Sequence, residues 1–209
     1  MPETIHGLDA PTIHARLFAG LLGDAGTATP DDVARRAGVS SAAAAETLAA
    51  LARQGLLETM PGGAYRATRL DSNELRELYP AVLMLEAIAV RDAPPHTAAS
   101  IERMRAANTR LRTATDALEG SDADDAFHRA LIADCGNQRL LDVVAPVRRA
   151  LLPYERVYFA GAERRTRSAA QHETIIDLLA VGDHAAASEL VRENFTTALA
   201  DLAAELDRR

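Results

Sequence analysis

Three polar side chains in the second half of the sequence have the types and spacing of a metal-gripping set. Asp124 and His128 lie four residues apart in the stretch DDAFHRAL. Four residues is one helical turn, so a helix projects both from one face. A carboxylate and an imidazole so placed can hold one ion, with His172 of AAQHETIIDLL as a third ligand. Asn194 follows in VRENFTTAL. The other histidines, His6, His14, His96 and His184, have no partner pattern and read as surface or packing residues. Cys135 abuts an expected helix end and reads as a small buried apolar group.

The elements that must position these residues are helical. From residue 71 onward the spacing predicts six helices with short connections and no strand pattern, an all-α bundle over 71–209. SNELRELYPAVLMLEAIAVRDA is the first, with a kink or late start expected at Pro80 and a break at Pro94 and Pro95. The second reads from His96 to Gly120, and the third from Ser121 or Asp122 as cap to Gly136. The fourth covers 137–159 with interruptions at Pro146 and Pro153. The fifth runs from Arg167 to Gly182, with Arg164, Arg165 and Arg167 read as a solvated loop, and the sixth is capped by Asp183.

The first 70 residues read differently. A helix is expected over 11–23. A short helix follows, with Thr29 as N-cap, Pro30 at its first position, Asp31 and Asp32 at its positive end and Gly38 as its stop. A third helix runs from Ser41 to Gln54, and Gly55 closes it. LLETM and YRATRL then read as two strands joined at Pro61 to Gly63. Three helices followed by a β-hairpin make a winged helix-turn-helix, so the expected fold class is mainly α: a winged helix over 1–70 and a six- or seven-helix bundle over 71–209.

Bulk properties narrow the function classes. Hydrophobic residues at 48% and charged residues at 25% describe a globular chain. All 23 basic residues are Arg, and the net charge of −7 excludes a polycation, so any DNA-facing surface must be locally basic. One cysteine excludes an internal disulfide and fits a reducing cytoplasm. The start lacks a basic segment followed by an apolar core, and no apolar run has membrane-spanning length. A soluble cytoplasmic protein without a membrane partner is expected.

Several motifs in order resemble the GntR superfamily of bacterial transcription regulators, in the FadR-type branch with an FCD effector domain. DDAFHRALIADCGNQRLL is similar to that domain's Asp-x-x-Phe-His helix and its Gly-Asn-x-x-Leu turn. QHETIIDLLAVGDHAAASELVREN is similar to its His-containing helix, Gly-Asp turn and last helix. ELRELYPAVLMLEAIAVRDA resembles its opening helix, with Glu86 in the Leu-Glu position. The resemblance implies a divalent metal (Zn, Ni or Mn-like) held by Asp124, His128, His172 and the position of Asn194. That last position is His in metal-binding members. An amide oxygen is a poorer ligand for zinc-like ions than imidazole, so the substitution weakens the site. The alternative is a metal-free cavity in which Asn194 and the histidines donate hydrogen bonds to an organic acid. Val82 stands where the family often has an effector-directed Arg. Arg148 or Arg149 is assigned that charge instead, with Glu86, Tyr154 and Tyr158 completing the effector-contact set.

The DNA-reading half departs further. Two family Arg positions are Ser41 and Ala45, and the wing's Arg-Gly is Gly62-Gly63. Arg is the side chain best suited to bidentate contact with guanine, so weak or unusual DNA binding is expected. The remaining candidates are Ser40, Ser41 and Thr47 for bases or phosphate, and Arg35, Arg36, Arg53 and Arg66 for phosphate.

The reading is a homodimeric, ligand-responsive transcription regulator, a repressor by analogy, binding operator DNA and a small organic acid effector. A bundle-only sensor that has lost operator reading is the alternative. A metal-dependent enzyme would need a positioned base, and none stands at a motif position, so no enzymatic activity is expected.

Overall fold

The structure, a computed structural model, describes residues 27–207 except 54 and 69. The expected helix over 11–23 lies outside the described residues. The chain divides into two compact units between Arg69 and Leu70.

The described part of the first unit is a short helix pair with a small sheet. β1 (Thr27–Ala28) precedes α1 (Pro30–Ala37) and α2 (Ser41–Arg53), and β2 (Leu57–Thr59) and β3 (Tyr65–Ala67) form the hairpin. The Thr29 hydroxyl accepts from the Asp32 N–H at 3.2 Å, and the Asp32 carboxylate accepts from the Thr29 N–H at 3.0 Å. This reciprocal pair satisfies two orphan donors at the helix start. Gly38 ends α1 at φ 70°, a left-handed conformation that favours glycine. Ala44, Leu48 and Leu51 recur on one face of α2 and are buried with Val33, Leu56 and Leu57. β1 adds to the free edge of β3, so the antiparallel order is β1-β3-β2. This third strand has no signal in a two-residue segment ahead of a helix cap.

The second unit contains six helices among its described residues: α3 (Ser72–Arg91), α4 (Ala98–Thr113), α5 (Ala117–Ile132), α6 (Gln138–Phe159), α7 (Ala162–Ala180) and α8 (His184–Leu206). Side chains of Asp71, Thr97, Asp116, Asn137 and Asp183 cap five of them. α3 packs along α8 and α6, α5 against α4 and α6, and α7 against α4 and α8. Ser188 on α8 donates to the Ala87 carbonyl of α3 at 2.8 Å. Asn108 on α4 donates to the Ala169 carbonyl of α7 at 3.0 Å.

Four sequence expectations need correction. α3 starts at Ser72, with no late start, and continues through Pro80. α6 likewise continues through Pro146 and Pro153 as one element. α5 starts at Ala117, four residues before the expected cap, because the Asp116 carboxylate accepts from the N–H groups of Leu118 and Glu119. Ser121 and Asp122 are therefore interior helix residues. Gly120 does not break the helix; it allows close packing. A Cβ there would lie 3.0 Å from Phe159 Cβ and from Arg165 Cδ. Finally, the expected loop of Arg164, Arg165 and Arg167 is the start of α7. Arg165 is buried and donates to the Phe159 carbonyl, a contact that draws it inward.

Candidate functional site

The buried faces of four helices build the site around the candidate ligands. Along α3 the inward stripe is Leu75, Tyr79, Val82, Glu86 and Val90. Along α6 it is Val144, Arg148, Leu151, Glu155 and Tyr158. Each stripe follows helical spacing, so its charged members are carried into the core by their apolar neighbours. α5 supplies Asp124, Phe127 and His128 from one face, and α7 supplies His172.

Asp124, His128 and His172 each offer a ligand atom, and these atoms all lie within 4.8 Å of one another. His128 Nε2 is 3.7 Å from Asp124 Oδ2, and His172 Nε2 is 3.5 Å from Asp124 Oδ1. On its other side, His128 Nδ1 pairs with Glu86 Oε2 at 2.7 Å. In a neutral ring this bond places the proton on Nδ1 and the lone pair on Nε2, facing Asp124. Glu86 is in turn held by Arg148 Nη1 at 2.7 Å.

His172 is fully buried, and neither ring nitrogen has a hydrogen-bond partner. Its ring stacks on Phe127 with centroids 3.7 Å apart and 9° between planes. The His128 ring meets it edge-on. Leaving a buried polar atom unpaired costs about 1–3 kcal/mol. An ion at Nε2 offsets that cost, so the residues present fit a metal. The electrostatics point the same way. Burial, reinforced by the charges of His128 and Arg148, holds the His172 imidazole well below the usual histidine range. The neutral ring therefore keeps one nitrogen lone pair available.

The carboxyl groups respond to opposing forces. Burial pushes the Asp124 carboxyl up, and His128 and Arg148 offset only part of that. Burial also pushes Glu86 upward, but the charges of His128 and Arg148 outweigh it and hold Glu86 below its ordinary value. Arg148 is opposed by burial yet held more firmly charged than usual by Glu86, Glu155, Asp125 and Asp124. Glu155, which the sequence reading missed, is buried and pushed well above the carboxylate range by burial. Its position seven residues after Arg148, on the same face, was the available signal.

A small cavity opens beside the cluster, lined by Asp124, His128, Glu155, Ser168 and Asn194, with Tyr79, Tyr158 and Phe195 among its walls. It leaves about 10 Å³ for the centre of a water-sized guest. That is room for one water and not for an organic acid. Asn194 donates through Nδ2 to Gln171 Oε1 at 2.8 Å, so its amide oxygen is what it can offer a cation.

The remaining effector candidates are dispersed. Glu86 and Arg148 are buried in the ion-pair network behind the cluster. Tyr158 lines the cavity, and its hydroxyl accepts from Arg167 Nη2 at 3.0 Å. Tyr154 lies elsewhere: its hydroxyl donates to Glu74 and accepts from the Asp71 N–H, tying down the start of α3. Arg149 is exposed and does not line the cavity.

In the first unit, the DNA candidates surround α2. The Ser40 hydroxyl accepts from the Ala43 N–H at 3.2 Å, as a helix cap. Ser41 donates to Asp31 of α1, and Thr47 donates to the Ala43 carbonyl at 2.9 Å. Arg35 pairs with Asp32 at 3.2 Å, and Arg66 pairs with Glu58 across the hairpin. Arg36 and Arg53 are exposed.

The sequence profile of the FCD domain matches residues 77–197, which span all six helices of the second unit in whole or part. The chain belongs to the FCD-domain family. No curated protein sequence matches it. Solved structures share the fold of the whole FCD chain. E. coli McbR/YncC is 15% identical with a TM-score of 0.66, covering 95% of this chain and 99% of that one. A transcriptional regulator GntR from Rhodococcus sp. RHA1 is 21% identical with a TM-score of 0.70, covering 91% and 93%. The Listeria monocytogenes protein Lar, described as controlling expression of the agr system, is 18% identical with a TM-score of 0.58, covering 94% and 95%. The FCD family thus rests on the domain profile, and the likeness to GntR-type regulators stands at the level of the fold. No described helix is long and apolar enough to cross a membrane.

Proposed function

We propose that this FCD protein is a metal-responsive transcription regulator that binds operator DNA through its winged helix, as a homodimer in the cytoplasm. Asp124, His128 and His172 hold a divalent cation, with the Asn194 amide oxygen as an added contact and Glu86 orienting His128. The single observation that carries this reading is His172: a fully buried imidazole with two unpartnered nitrogens beside a carboxylate. When bound, the ion would supply a fixed positive charge beside three buried carboxyl groups, Glu86, Asp124 and Glu155, that share the guanidinium of Arg148. Asp124 and His128 on α5 and His172 on α7 would be drawn to one ion, which would favour one arrangement of these helices and, in a dimer, bias the spacing of two winged helices. A small carboxylate effector fits this scheme as a ligand to the ion, and requires the cavity to widen. The resemblance favours repression and regulation without catalysis.

The decisive experiment is a fluorescence-anisotropy titration against tiles of the gene's own upstream DNA. It is run at two salt concentrations, with metal stripped and restored. Saturable binding to one tile, weakened by salt and altered by metal, is the expected result. Equal binding to all tiles in both metal states overturns the regulator reading. A second reading, a bundle-only sensor, is favoured by the local pairing of Arg35, Arg66 and Ser41, which occupies groups that would otherwise meet DNA.

A further inference from the structure

We propose that Glu155 anchors a water ligand of the ion held by Asp124, His128 and His172, and so tilts this centre toward oxygen-preferring divalent ions such as Mn²⁺. The inference rests on the metal reading above.

Glu155 is 4% exposed, and its Oε2 is buried without a hydrogen-bond partner. Its Oε1 lies 3.6 Å from Arg148 Nη2, beyond hydrogen-bonding range. Arg148 Nη2 is itself buried without a hydrogen bond. A carboxyl group so buried is costly while one of its oxygens lacks a hydrogen-bond partner. Glu155 also lines the cavity that Asp124, His128 and Asn194 face, and that cavity has the size of one water.

Among the described residues, the set whose ligand atoms lie within 4.8 Å of one another is Asp124, His128 and His172. Glu155 therefore stands one step further out, where a bridging water reaches it. That water would hydrogen-bond to Oε2 and present its oxygen to the ion. The resulting shell has two imidazole nitrogens and three oxygens: the Asp124 carboxylate, the Asn194 amide and the water. The exchange of a third imidazole for Asn194 and an anchored water replaces nitrogen with oxygen, which suits harder ions. Zn²⁺ still binds more tightly than Mn²⁺ to most such sites, so the ratio of the two affinities is the quantity that reports Glu155.

The test uses the full chain stripped of metal, as wild type, Glu155→Gln, Glu155→Met and His172→Ala. Each must retain the wild-type far-ultraviolet circular dichroism; Glu155→Gln, nearly isosteric, guards against a folding failure of Glu155→Met. Mn²⁺ affinity is read from the electron paramagnetic resonance of free Mn²⁺, and Zn²⁺ affinity from competition with a chromophoric chelator. Both Glu155 variants should lose about tenfold or more in Mn²⁺ affinity, the scale of an outer-shell partner. Zn²⁺ affinity should change less, so the Zn-over-Mn ratio rises. In ¹⁷O-enriched water, the bound Mn²⁺ signal of the wild type should broaden. An unchanged affinity ratio in both variants, or no broadening, overturns the role of Glu155. If His172→Ala leaves both metals bound as in the wild type, the metal centre itself falls, a result distinct from failure of the Glu155 variants alone.

Discussion

The two units handle charge in opposite ways. In the first unit, charged side chains stay at or near the surface and pair locally: Arg35 with Asp32, Arg66 with Glu58. Such exposed pairs contribute little to stability. In the bundle, Glu86, Asp124, Arg148 and Glu155 are all buried, and several of their polar atoms remain unpaired with His172. A fold whose only task was to persist would fill that core with apolar side chains. The contrast places the buried charge in the bundle and leaves the first unit with exposed, local pairs.

Removing the central cation should sharpen this contrast most. Arg148→Ala leaves Glu86 without its buried guanidinium partner, and the stability of the bundle to urea should fall by about 3–5 kcal/mol. Arg35→Ala, the surface counterpart, should change stability by less than about 0.5 kcal/mol. Equal effects would break the comparison. Next in size, His128→Ala or His172→Ala should reduce metal affinity by about a hundredfold, roughly 2.7 kcal/mol, in isothermal calorimetry. Retained affinity in both would remove the ligand assignment.

Acidity probes the same asymmetry. His172 is held well below its ordinary 6.5, so its folded form resists protonation while the unfolded chain accepts a proton. Its contribution to stability is therefore complete above pH 6.5 and is lost as the pH falls toward the depressed folded value. The metal-free protein should lose stability on acidification with a slope approaching about 1.4 kcal/mol per pH unit from this group. His172→Phe should flatten that slope in denaturation curves between pH 6.5 and 5; an identical slope would show that His172 is not the group responsible. Smallest are the effects in the first unit. Thr29→Ala should cost about 1 kcal/mol by loss of the α1 cap, visible as a lower urea midpoint. Arg53→Ala should lower the salt dependence of DNA binding by about one unit of slope, evenly across sequences.

Local chemistry was legible in the sequence wherever a short pattern carries its own mechanism. Thr29, Pro30 and Gly38 bound α1 as their cap and turn chemistry requires, and Pro61 to Gly63 join the two strands of the hairpin. Asp124 and His128 share a face because a helical turn leaves no alternative. What the sequence hid depends on contacts between helices. Gly120 reads as a stop until Phe159 and Arg165 are seen against it. The Arg-rich start of α7 reads as solvated until Arg165 is seen reaching a carbonyl. No motif singles out Glu155, and its register with Arg148, Leu151 and Tyr158 carries it inside.

The flat stacking of Phe127 on His172 has a consequence for how the centre can be observed. Protons of one aromatic ring lying over the face of another sit within its ring current and resonate upfield of their normal positions. The His172 ring protons should therefore appear in an uncrowded part of the spectrum. Because the shift depends on ring tilt and separation, a movement of the His172 ring when a cation arrives would register as a change in frequency. The bundle carries its own internal magnetic gauge, and no label is needed to read it.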